Sequence, residues 1–316
     1  MFIFKNLTPP QTCPYLMGTV ISLIMLLMGC RAPQPEEMAD TASAKIMVTV
    51  LPMYLFTRGV TGAEAEVELL IPPHSNTHNY QASPHNIRSL AEADILIKNG
   101  LGLEDFVDKL ITNTSNTQLQ QINASQGIEA LQIEDHHSED PDQKHSHVEG
   151  NPHVWLDPIL AQKQVINIRD GLIAADPNKS QIYQENAAVY LSQLEELDRQ
   201  FQTQLASVQN CRFIAFHDAY PYLAKRYGLQ QIAVVELPED SLSPQDLQRV
   251  INTVKQYDIK VLLSETGIED NRLQRISEDT GLRIKALDPI ENGSLDPQYY
   301  FTAMEKNLQT LVEACQ

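Results

Sequence analysis

From Lys45 to the C-terminus, the apolar residues fall into short β-branched runs separated by longer stretches of helical spacing. Lys45 to Leu51 is the first such run and predicts a buried strand. A helix-like segment follows, and Val67 to Ile71 predicts a second strand. The paired prolines Pro72 and Pro73 break regular structure, so the chain through His78 is expected to be loop. Ser83 and Pro84 supply an N-cap and a first-turn proline, opening a helix to about Ala93. Ile95 to Lys98 is a third strand, and Gly100-Leu101-Gly102 turns the chain into another helix. Alternating strand and helix predicts an α/β layer with a mostly parallel sheet.

Beyond Pro158 the pattern changes. Asp176-Pro177 is a helix start, and apolar residues recur in steps of three and four at Tyr190, Leu194, Leu197, Phe201, Leu205 and Val208. This spacing, uninterrupted by glycine or proline, predicts one helix from about Asp176 to Val208, about 50 Å long at 1.5 Å per residue. A helix of that length reads as a rigid connection between two domains; an ordinary core helix of one domain is the alternative. The second half repeats the first pattern. Strands are expected at Arg212 to Phe216, Ile232 to Val235, Val261 to Leu263 and Ile284 to Leu287. Helices are expected up to Tyr227, from Ser243-Pro244 to Tyr257, from Asp270 to Thr280 and from Asp296-Pro297 onward. The expected fold is α/β: two β/α lobes with mostly parallel sheets, residues 45–158 and 210–316, joined through a linker region, 159–209, that holds the long helix.

The 316 residues are too many for one typical core and enough for two domains. Hydrophobic content of 42% with 20% charged residues describes a soluble globular chain, and a formal charge of −18 argues against nucleic acid as a partner. The N-terminus stands apart. Tyr15 to Met28 is an apolar segment of signal-peptide length, too short to span a bilayer comfortably. It ends in Leu27-Met28-Gly29-Cys30, which resembles a bacterial lipobox, so residues 1–29 read as a lipoprotein signal peptide and Cys30 as the lipidated residue. Residues 30–44, rich in Pro, Ala, Glu and Asp, read as a flexible tether. An uncleaved anchor helix is the alternative. Both readings place the remainder outside the cytoplasm, in the periplasm or its equivalent, held to a membrane. In that oxidising setting the two remaining cysteines, Cys211 and Cys315, are expected to pair. One begins a strand and the other ends the last helix, and an antiparallel helix brings those ends together.

Candidate chemistry centres on Asn151-Pro-His-Val-Trp-Leu-Asp-Pro158. His153 lies two residues before the only tryptophan, Trp155, between two prolines. Packing against Trp155 for structural reasons is one reading of His153; a metal ligand is the other, and it needs partners. In open α/β sheets ligands sit beyond the carboxyl ends of strands. His78 follows the second strand, His217 directly follows Arg212 to Phe216, and Asp288 directly follows the Ile284 strand. With His153, these make two candidate ligands from each half. Upstream, the polar run 132–150 carries His136, His137, His145 and His147 among acids and amides, a composition suited to loose cation capture or simply to a solvated loop.

The chain resembles the solute-binding lipoproteins of bacterial zinc and manganese ABC importers, the cluster A-I binding proteins. The matching pieces are Pro73…Thr77-His78-Asn79-Tyr80…Ser83-Pro84, Ala91-Glu92-Ala93-Asp94…Asn99-Gly100-Leu101-Gly102-Leu103-Glu104, Asn151 to Pro158, Phe216-His217-Asp218-Ala219-Tyr220 with Arg226-Tyr227-Gly228-Leu229, and Leu287-Asp288-Pro289. This resemblance implies two lobes around a metal cleft and a ligand set of His78, His153, His217 and Asp288. His74 stands where relatives usually have glycine and is a candidate extra ligand; His85 reads as a surface residue. Three imidazoles with one carboxylate favour Zn2+, because manganese prefers oxygen and binds nitrogen-rich sites weakly. The implied function is extracytoplasmic zinc binding by a monomer, not an enzyme, which delivers Zn2+ to an ABC transporter permease driven by its cytoplasmic ATPase. A manganese carrier of the same family is the alternative within the class. Outside it stand a zinc metallohydrolase, for which Asp218, Glu236 or Glu265 would serve as base rather than as support for the imidazoles, and an adhesin lipoprotein that needs no metal.

Overall fold

The computed structural model of the chain describes residues 43–73, 75, 77–78, 80–132, 150–235, 244–257, 259, 261–266 and 271–316, with the backbone alone at 216–217, 234–235, 244–247, 249 and 271–272. The signal peptide, Cys30, most of the tether, His74, His136, His137, His145, His147 and Glu236 lie outside these residues. No helix among the described residues is long and apolar enough to cross a membrane.

Two four-stranded parallel sheets form. In the first, β1 (Lys45–Val48), β2 (Glu66–Leu69), β3 (Ile95–Lys98) and β4 (Gln120–Asn123) are ordered β2-β1-β3-β4. Helices α1 (Leu51–Thr61), α2 (Pro84–Glu92) and α3 (Asp105–Asn113) connect them. The second sheet has the order β6-β5-β7-β8, built from β5 (Arg212–His217), β6 (Gln230–Val235), β7 (Val261–Glu265) and β8 (Arg283–Leu287). Its connections are α6 (Pro221–Tyr227), α7 (Pro244–Tyr257) and α8 (Asn271–Thr280), and α9 (Tyr299–Cys315) closes the chain. Each central strand is an apolar run, as parallel strands buried on both faces require.

Between the sheets lie α4 (Pro158–Ala175) and α5 (Ser180–Leu205). The long helix is there, but its regular part is 26 residues, about 39 Å, flanked by 3-10 turns at Pro177–Lys179 and Ala206–Val208. It is not a lone strut. Tyr190 of α5 packs edge-on to Phe56 of α1, centroids 5.9 Å apart, and at a tilt to Phe301 of α9, 4.8 Å apart. Phe56 also meets Tyr300 edge-on at 5.0 Å. One hydrophobic core therefore runs from the first sheet through α5 to α9 and the inner face of the second sheet. A smaller cluster around Ile214, Leu262 and Ile276 fills that sheet's outer face. Cys211, next to β5, forms a disulfide with Cys315 at the end of α9, closing a sequence separation of 104 residues.

Candidate metal centre

Three side chains from three loops converge. His78 comes from the loop after β2, His153 from the segment entering α4 and Glu291 from the loop after β8, and they offer one ligand atom each within 4.8 Å of one another. His153 Nε2 lies 3.0 Å, and His78 Nε2 3.5 Å, from Glu291 Oε1. The two imidazoles are 5.2 Å apart between centroids. His153 is fully buried, and the other two side chains are 9% exposed. A nearly dry carboxylate flanked by two imidazoles is a concentration of lone pairs, which suits a divalent cation of borderline softness.

Each arm is held by its local sequence. The His78 loop is anchored by Asn86, whose Oδ1 accepts from Tyr80 Oη at 2.9 Å and from the Ser83 amide at 2.8 Å. The Asn86 amide donates to the Leu70 carbonyl at 3.0 Å, and Ser83 and Asn86 form a reciprocal capping box at the start of α2. His153 enters a single 3-10 turn, Val154–Leu156, that Asp157 stops by capping α4, with Pro158 in its first turn. Trp155 packs edge-on to the imidazole at 5.1 Å. Its Nε1 donates to the Pro289 carbonyl at 2.8 Å, and its own carbonyl accepts from Tyr300 Oη at 2.7 Å. The structural and the ligand readings of His153 are thus not exclusive: Trp155 packs the ring and ties its loop to the loop of Glu291.

Beneath His153 lies Asn99, which donates to the Pro152 carbonyl at 3.1 Å. Glu104 accepts from the Asn99 amide at 2.7 Å, the Gly100 amide at 3.0 Å and Thr49 Oγ1 at 2.5 Å. Burial pushes the Glu104 carboxyl up from the usual glutamate range despite these donors.

The structure places the expected ligands unevenly. His78 and His153 meet. His217 ends β5, at the carboxyl edge of the second sheet, with its side chain outside the described atoms. Asp288, expected as the carboxylate ligand, is not in the described cluster. Its Oδ1 accepts from the Ile290 amide at 2.8 Å and its Oδ2 from Tyr299 Oη at 2.6 Å, while Asn307 bonds its backbone on both sides. Burial raises the Asp288 carboxyl above the ordinary aspartate range, countered in part by Tyr299. Glu291 takes the facing position instead. Ile290 has φ +60°, a left-handed conformation that a β-branched residue adopts only under constraint, with a cost of order 1–3 kcal/mol. That turn, fixed by Asp288, carries Glu291 to the imidazoles. The Asx turn at Asp288-Pro289 is the sequence signal that points past Asp288 to the next carboxylate.

Of the residues weighed as bases, Asp218 accepts from Asn151 Nδ2 at 3.1 Å and from Gln231 Nε2 at 3.0 Å, and Glu265 lies near Asp288. His85 is at the surface, 3.6 Å from Glu68.

Two parallel α/β lobes sharing one core, with imidazoles from one half and a carboxylate from the other, define a two-lobed metal-binding protein of solute-receptor architecture. The family described as zinc-uptake complex component A, periplasmic, matches residues 46–314, and the chain belongs to it. That family comprises transport components rather than enzymes. The high-affinity zinc uptake system protein ZnuA of Bacillus subtilis is 29% identical over 304 residues, covering 93% of this chain and 95% of that protein. The zinc-binding protein AdcA of Streptococcus pyogenes is 29% identical over 308 residues, covering 92% of this chain, which spans only 60% of the length of AdcA. Among solved structures, the Zn(II)-bound ZnuA-like domain of Streptococcus pneumoniae AdcA superposes with a TM-score of 0.72 at 29% identity, covering 86% of this chain and 99% of that one.

Proposed function

We propose that this chain captures Zn2+ between its lobes and delivers it to the permease of an ABC importer, whose cytoplasmic ATPase drives uptake. The observation that carries the proposal is the meeting of His78, His153 and Glu291 across the two halves. His78 Nε2, His153 Nε2 and Glu291 Oε1 hold the ion, and His217 supplies a fourth position, as the family resemblance implies. Asp288 acts behind them by fixing the turn that presents Glu291. Names of relatives that bind zinc, a zinc-uptake family and a nitrogen-rich ligand set support zinc over manganese. The ion is cargo, so a closed shell of protein ligands suits retention, whereas a metallohydrolase keeps a position open for water. The shared core and the aromatic cluster of α1, α5 and α9 resist a large swing of the lobes, so loading reorders the loop arms. Residues 1–29 direct export, Cys30 carries lipid, and the tether lets a monomeric carrier reach its permease from the membrane surface; residues 45–158 and 210–316 serve as the two lobes.

Isothermal titration of the metal-free protein with zinc and with manganese tests the reading. One zinc bound per chain, more tightly than manganese, is the expected result. Tighter manganese binding, or no binding of either ion, would overturn it.

A further inference from the structure

Asn151 occupies a position that the ligand set does not explain. Its side chain is almost completely buried, at 1% exposure. Its Oδ1 lies 2.9 Å from His153 Nδ1 and accepts from the His153 backbone amide at 3.1 Å. Its Nδ2 meets two acceptors on the other half of the molecule, the Asp218 carbonyl at 2.6 Å and Asp218 Oδ2 at 3.1 Å. Those two acceptors fix which way the amide faces, because turning it over would set its oxygen against both. With the amide so oriented, only an oxygen faces the ring, and Nδ1 must be the protonated nitrogen. In the neutral ring Nε2 then carries the lone pair, and it faces Glu291 Oε1, 3.0 Å away.

The backbone of Asn151 is pinned as firmly. Its amide donates to the Leu131 carbonyl at 2.8 Å, and its carbonyl accepts from Tyr222 Oη at 2.6 Å. Tyr222 Oη also accepts from the Leu131 amide at 2.9 Å. The preceding Gly150, at φ +137°, leaves no room for a side chain, since a Cβ there would sit 2.5 Å from Ala130 Cβ. Asp218 in turn is held by Gln231, whose Oε1 accepts from the Tyr220 amide at 2.7 Å. A relay therefore runs from β6 through Gln231, Asp218 and Asn151 to the His153 ring. Asp218 directly follows His217, the last residue of β5.

We infer that Asn151 is the positioning residue of the metal centre: its side-chain amide locks His153 as the Nδ1–H tautomer, which turns the Nε2 lone pair toward the ion, and fastens that orientation to Asp218 of the other lobe. A wrong tautomer or a rotated ring would remove a ligand without removing any ligand residue. Partners of this kind usually change metal affinity by about 10–100-fold when lost. Only the affinity arm of the test below rests on the zinc reading.

The test uses the full metal-free chain with 15N-labelled histidine, the His153 signals assigned by their loss in His153→Gln. Long-range nitrogen–proton spectra at alkaline pH, where imidazole is neutral, should show His153 as the Nδ1–H tautomer in the unmutated protein. Asn151→Leu should lose that signature and bind zinc about 10–100-fold more weakly. Asn151→Asp, which still offers an oxygen to Nδ1 but faces the Asp218 carboxylate, should keep the tautomer and lose the link to the second lobe. An Nε2–H tautomer in the unmutated protein would overturn the inference whether or not any variant folds. So would Asn151→Leu with unchanged tautomer and zinc affinity. Failure of the unmutated chain to bind zinc, with the tautomer as expected, would instead sink the zinc reading and leave the positioning role intact.

Discussion

Glu291 and Asp288 stand three residues apart on one loop, and nearly isosteric amide substitutions separate their roles. Glu291→Gln removes the charge that faces the two imidazoles at 3.0 and 3.5 Å and leaves the side-chain shape. Four-ligand zinc sites bind with roughly 10–16 kcal/mol, or about 3–4 kcal/mol for each ligand. At 1.36 kcal/mol per decade, losing one ligand weakens zinc binding by a factor of about 10²–10³. Stability of the metal-free protein should hardly change, because a nearly buried carboxylate beside two imidazole lone pairs gains little without a cation. Asp288→Asn behaves differently. The oxygen that accepts from the Ile290 amide survives, and Tyr299 Oη, already 3.2 Å from the Asn292 carbonyl, can turn to that acceptor. Burial already disfavours the charged form of Asp288, so neutralising it should cost no more than about 1 kcal/mol, the worth of one modest hydrogen bond. Calorimetric titration with zinc, paired with urea unfolding of the metal-free variants, reads both quantities. The reasoning is refuted if Asp288→Asn abolishes zinc binding while Glu291→Gln binds as the parent does; Asp288 would then be the ligand.

Three further outcomes follow from the same geometry. Trp155 is the only tryptophan and packs 5.1 Å from the His153 ring, so zinc should change its emission and a chelator should restore it; unchanged fluorescence at saturating zinc would place the ion elsewhere. Cys315→Ser opens a loop of 104 residues and should lower stability by about 2–4 kcal/mol in denaturant unfolding while leaving zinc affinity within a few-fold. Glu104 has a folded pKa above its unfolded value, so the folded state holds its proton longer; its contribution is greatest below the unfolded pKa and is lost as pH rises through the folded one. Glu104→Gln should flatten that part of the profile of melting temperature against pH, and an unaltered profile would show that Glu104 ionises normally.

What the sequence discloses about this molecule follows from which interactions are local. Strands β1, β3, β5 and β7 are buried on both faces and announce themselves as apolar runs. Strand β4 reads Gln-Gln-Ile-Asn, with Ile122 its only buried residue, because an edge strand may be polar; its pairing with β3 is decided by tertiary contact alone. Helix α4 escapes notice because its one buried face includes a glutamine, Gln164, while the apolar Ile159, Leu160 and Ile166 lie off that face and blur the stripe. The rule that ligands gather beyond strand ends points to the loop of His78 and to the segment after β8, two of the three that converge in the described cluster. It does not select the atom. Within Asp288-Pro289-Ile290-Glu291, the residue nearest the strand is consumed in shaping the turn, and a strained φ at Ile290 turns the next carboxylate toward the imidazoles. Asn151 is hidden from sequence reasoning for a related reason, since its meaning depends on Asp218, a partner 67 residues away, and no local pattern carries that distance. Spacing thus identifies candidate side chains, whereas the orientation in which they meet is written in contacts between the halves.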